Sequence, residues 1–159
     1  MPAGTEFIKH EFDEAIAIQE TICQCGESLA KSHPVAAVRK QLQTALKTDR
    51  RHLEKLRTFG RPLGATGKRE EVAEGLSALA EKTSRKAAEE ESEAYEAQAV
   101  LLNLKRKQQD SADAVIKIAR ETGDKDLRDA TTQMRKEIKA GADELGKSLA
   151  DFAVRIAIA

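Results

Sequence analysis

Apolar residues recur along this chain at steps of three and four, the spacing of one face of an α-helix, and no alternation of period two persists anywhere. The first helical stretch runs from about Thr5, a residue suited to an N-cap, to Lys31, with Ile8, Phe12, Ala15, Ile18, Ile22, Cys25 and Leu29 on one face. "SHP" then interrupts the pattern, and Pro34 suits the first turn of a second helix carrying Val35, Val38, Leu42, Ala45, Asp49, His52, Leu56 and Phe59. The glycines of "GRPLGATGK" invite comparison with a phosphate-binding loop. Arg61 stands where that motif needs glycine, no Ser or Thr follows Lys68 and no strand precedes, so the segment reads as a flexible connector. A short amphipathic helix, "REEVAEGLSALAEKT", is expected to bury Val72, Leu76 and Leu79. A long helix from about Arg85 to Thr122 opens on the run "EEESE", which reads as a solvated face. Gly123 can end it and Asp124 can cap a last helix, to about Ile156, with Leu127, Met134, Ile138, Gly141, Leu145, Leu149 and Phe152 inward.

Long helices joined by short turns pack as antiparallel neighbours. The expected fold is therefore all-α: one domain over 1–159, an antiparallel four-helix bundle with hairpins at 5–59 and 85–156 and a loop and short extra helix at 60–84 in the crossover. Pro34, Gly60 and Gly123 interrupt the pattern too early for a continuous coiled coil.

One stripe contains an anomaly. Asp49 and His52 occupy inward positions of the second helix, and a buried polar pair is unfavourable unless it is hydrogen-bonded, ion-paired or metal-bound. At i and i+3 the two stand side by side. Carboxylate-x-x-His on a bundle helix is half of the ligand set of ferritin-like di-metal proteins. The chain from about Phe7 to Phe152 resembles that superfamily, most nearly its bacterial stress-response branch, in its hairpin, short helix, hairpin order. "TALKTDRRHLEKLRTFGRPLG" is similar to that branch's second helix, and "ARETGDKDLRDATTQMRKEIKAGADEL" to its last turn and final helix.

The resemblance implies a metal site in which Asp49, His52 and Glu137 match ligand positions. On the first helix the matching residue is Gln19 or Glu20, on the third long helix Gln108, and Ala140 stands where the final helix would supply histidine. Two divalent ions bring four positive charges, against Asp49, Glu137 and at most Glu20, so a full di-metal centre is not expected. Two arrangements remain open. One Fe, Mn or Zn ion is held by Asp49, His52 and Glu137 with Glu20, or no metal binds and Asp49, His52, Gln108 and Glu137 satisfy one another, with His52 as imidazolium.

Composition narrows the function classes. Of 159 residues, 27 are basic and 27 acidic, and this neutral sum gives no attraction to nucleic acid or an anionic membrane. The N-terminus is too polar for a signal peptide, and "DFAVRIAIA" is far shorter than the ~20 residues that span a bilayer, so a soluble cytoplasmic protein is expected. Cys23 and Cys25 point to different helix faces and read as small hydrophobes with reduced thiols. His10 falls on the solvent side and His33 in a turn, outside any cluster. No Ser-His-Asp or Cys-His arrangement is legible, and one tyrosine with four phenylalanines makes no platform for bases or sugars. The apolar C-terminus suggests a homodimer. The resemblance implies a stress-related or accessory protein that acts by protein interaction with a lost or reduced metal site; the alternative is a metal-dependent iron or manganese oxidase or iron-handling protein.

Overall fold

A computed structural model describes residues 3–159. The single domain expected over 1–159 includes Met1 and Pro2, which lie outside the described residues. The described chain is helical throughout, with no strand: α1 (Ala3–Ser32), α2 (Ala36–Gly60), a 3-10 turn (Arg61–Leu63), α3 (Glu71–Lys86), α4 (Glu91–Thr122) and α5 (Lys125–Ile158). α1 is already helical at Ala3, so Thr5 lies inside it and is not its N-cap. At the other breaks the chain follows its punctuation. Gly123 takes φ 74°, and its N–H reaches the carbonyls of Ala119 and Arg120. That left-handed backbone is where glycine is favoured. Asp124 Oδ1 then accepts from the Leu127 N–H at 3.0 Å, as a capping residue should.

α1 and α2 run antiparallel, with Ile16 against Gly60, Glu20 near Arg57 and Glu27 near Arg50. α4 and α5 pair in the same way, through Glu91 with Arg155, Gln98 with Ser148 and Asp113 with Arg135. A large apolar cluster joins Ile18, Ile22, Leu29, Leu42, Leu101, Leu104, Leu145 and Phe152, and a smaller one joins Phe12, Ile16, Leu53 and Leu127.

α3 packs on α1 and α4, but with a different face from the one its large residues predict. Val72 and Leu79 are 54% and 48% exposed, Leu76 is half-buried, and the buried stripe is Ala73, Ser77, Ala80 and Ser84. Small side chains let the helix axes approach, and the hydroxyls of Ser77 and Thr21 satisfy each other at 2.7 Å. α4 starts at Glu91 and not at Arg85, because α3 continues to Lys86 and a turn intervenes.

The glycine-rich segment is not a loose connector. Asp13, 2% exposed on α1, accepts at Oδ1 from the backbone N–H groups of Thr66 (2.7 Å), Gly67 (3.0 Å) and Lys68 (3.4 Å), while Lys9 Nζ donates to Oδ2 at 2.7 Å. The loop does cradle an anion with backbone amides, and the anion is the chain's own carboxylate. Burial pushes the Asp13 carboxyl up, but its bonds from Lys9, Thr66 and Gly67 prevail and hold it below the ordinary value.

Candidate functional site: a cleft with a polar floor

α2 and α5 meet only thinly. The residues they turn toward each other are short, Ala37, Thr44, Ala45 and Thr48 on α2 and Ala140 and Gly141 on α5, and none reaches across. A cleft of about 620 Å³ results, with a floor of Gln19 and Ile22 from α1 and Lys105 and Gln108 from α4.

The floor is polar and buried. Lys105, 6% exposed, donates from Nζ to Asp49 Oδ2 at 2.7 Å. Gln19 Nε2 donates to the Asp49 backbone carbonyl at 2.9 Å, and Gln108 Nε2 donates to the Ala15 carbonyl at 2.8 Å and to Gln19 Oε1 at 3.1 Å. One turn along α2, His52 Nε2 lies 3.0 Å from Glu137 Oε2, an oxygen that also accepts from Arg51, and Gln133 donates to Glu137 Oε1 at 3.0 Å. Burial lowers the His52 pKa, and the neighbouring Glu137 offsets this only in part. Burial would raise the Glu137 carboxyl, but hydrogen bonds from Gln133, His52 and Arg51 lower it. His52 is thus neutral near pH 7 and donates its Nε2–H to a carboxylate.

Measured against the sequence, His52 and Glu137 come together and Asp49 lies beside them, but it turns to a different partner. Of the two α1 candidates, Gln19 faces the interior at 2% exposed, while Glu20 pairs with Arg57 at 3.2 Å. Gln108 reaches Gln19 rather than His52 or Glu137. The compensating cations are Lys105 and Arg51, not an imidazolium. Nor does the donor set fit a metal ion. Asp49 holds an ammonium and His52 Nε2 is spent as a donor. Among the described residues, no three His, Cys, Asp or Glu side chains stand together as a metal requires.

Lys105 escaped the sequence reading, yet its position carries a signal. Ala94, Gln98, Leu101, Lys105, Gln108 and Ala112 form one buried stripe of α4 at steps of four and three. His33 was also missed. It is 1% exposed, its Nδ1 accepts from the Val35 N–H at 3.1 Å at the start of α2, so Nε2–H donates to Gln98 Oε1 at 2.9 Å, and its ring centre lies 4.7 Å from that of Phe152. Cys25 sits in the larger apolar cluster and Cys23 against the smaller. Burial pushes the Cys23 thiol up to about 11 and raises that of Cys25, so neither is a ready nucleophile.

No family model, curated protein or solved structure matches this chain. The functional argument rests on the chemistry of the cleft.

Proposed function

We propose that this chain is a ferritin-like four-helix bundle in which Lys105 has taken the place of the internal metal, and that it acts by binding, through the α2/α5 cleft, in a stress-related or accessory role. The observation that carries this is the 2.7 Å contact of Lys105 with Asp49, whose side chains are 7% and 12% exposed. A carboxylate buried at that level needs a cation beside it, and the ammonium supplies one without any ligand from solution. A divalent ion on the same carboxylate would face the ammonium directly. The cleft volume falls within the ~300–1,000 Å³ common for small-molecule sites. Its lining carries Lys40, Arg51 and Lys105 against Asp49, Glu137 and Glu144, a balance that suits an occupant of no net charge. Exposed Val154 and Ile158 at the end of α5 support self-association of two copies.

The test is metal content and ferrous-iron titration of protein purified without a metal-affinity tag, beside the variant Lys105→Glu. The parent is expected to hold well under one metal per chain, to oxidise no ferrous iron rapidly and to melt at the same temperature with or without Fe, Mn or Zn. Lys105→Glu sets a second carboxylate beside Asp49, and should be less stable until one of those ions is added. Stoichiometric metal in the parent overturns the proposal, and two irons per chain with rapid oxidation would install the oxidase reading in its place.

A further inference from the structure

Three buried side-chain atoms have no hydrogen-bond partner among the described residues: His52 Nδ1, Gln108 Oε1 and Thr131 Oγ1. They come from α2, α4 and α5, and their residues are 2%, 4% and 3% exposed. All three residues line one narrow cavity of about 30 Å³, walled mainly by apolar groups such as Phe12, Leu127 and Met134. His52 and Gln108 line the α2/α5 cleft as well, so their side chains are shared by the two spaces. Three unpaired polar atoms in such a cavity are strongly unfavourable.

Thr131 sharpens the point. The hydroxyls of Thr21, Thr44, Thr58, Thr83, Thr122 and Thr132 each donate to the carbonyl four residues back in their helix. Thr131, although buried, makes no such bond and keeps its hydroxyl for something else.

The unpaired atoms define what is needed. Nε2–H of His52 donates to Glu137, which leaves Nδ1 an acceptor. Gln108 uses its amide nitrogen on Ala15 and Gln19, which identifies Oε1 as an acceptor. The Thr131 hydroxyl can donate. The complement is a species with two donors and one acceptor, small enough for the cavity. Water meets both conditions, since one molecule requires only ~10–15 Å³ of such space and two to four polar partners. We infer that an ordered water molecule occupies this cavity as a fixed part of the fold, donating to His52 Nδ1 and Gln108 Oε1 and accepting from Thr131. It holds His52 in the tautomer that donates to Glu137, and so positions the imidazole at the edge of the cleft. This inference stands apart from the assignment of Lys105.

Two measurements test it. In NMR spectra of the full chain, cross-peaks from water to the Thr131 methyl and the His52 ring protons should carry the sign of a bound molecule, and the His52 nitrogens should show Nε2 protonated and Nδ1 bare. The variant Thr131→Val keeps the shape and removes one partner. It should lose those cross-peaks and melt about 2–5 °C below the parent. Absence of the cross-peaks in the parent overturns the inference. So does a Thr131→Val variant that melts at or above the parent, the outcome for deleting a hydroxyl that had no partner.

Discussion

His52 and His33 are both buried, and burial makes each a weaker base than the ordinary histidine near 6.5, despite the acceptors beside their Nε2 atoms. The folded state therefore holds fewer protons than the unfolded chain once the pH drops toward that value. Their contribution is fully present above pH 6.5 and is lost as the pH falls below it toward the folded values. Glu137 and Asp13, also lowered, act in the same direction at more acidic pH, below 4.5 and 3.8. Melting temperatures measured between about pH 8 and pH 5 should decline below about pH 6.5, and His52→Gln should remove part of that slope. A parent that melts identically across the range contradicts the burial of both rings. Asp49 and His52 were legible because each interrupts an apolar stripe. Lys105 was not, since a lysine in "LKRKQQ" reads as surface until the helix phase is fixed by its buried neighbours Leu101 and Gln108.

The segment between the hairpins shows how an element can be ordered by one side chain. Gly67 takes φ 84°, and a Cβ there would stand 2.7 Å from Ile16 Cγ2. Gly67→Ala should destabilise the fold by about 1–3 kcal/mol, through backbone strain and the displaced Ile16 contact, and should speed hydrogen exchange at the amides of Thr66 to Lys68. Equal urea midpoints for variant and parent would count against that account. The sequence marked this segment as non-helical correctly but missed its order, because the residue that organises it, Asp13, lies about fifty positions earlier. In α3 the amphipathic period was read correctly and the buried face was not. Hydrophobicity alone favours Val72 and Leu79, whereas close approach to α1 and α4 selects Ala73, Ser77 and Ala80.

Across the whole molecule, the helix order and both hairpins were readable from the breaks at "SHP" and "TGD", but the cleft was not, since it arises from what two helices together fail to fill. Gly141 looked like a core position, and it lines the opening instead. Self-association belongs at this scale too. Val154 and Ile158 are 57% and 79% exposed, whereas Phe152 is 2% exposed and anchors the end of α5. Sedimentation should give about twice the 17.4 kDa chain mass, and Val154→Ser with Ile158→Ser should return the monomer while leaving the fold intact. A monomeric parent refutes this. The two bridges between α2 and α5 have a geometric corollary. Ser148 Oγ donates to Gln41 Oε1 at 2.8 Å, and His52 meets Glu137 at 3.0 Å, so the bridges lie eleven residues apart on both helices. At the helical rise that is a window about 16 Å long, closed at each end by a polar crossbar. Anything longer must break a crossbar to lie flat against Lys105, which makes the frame a ruler: it sorts occupants by length before their polarity is read at the floor.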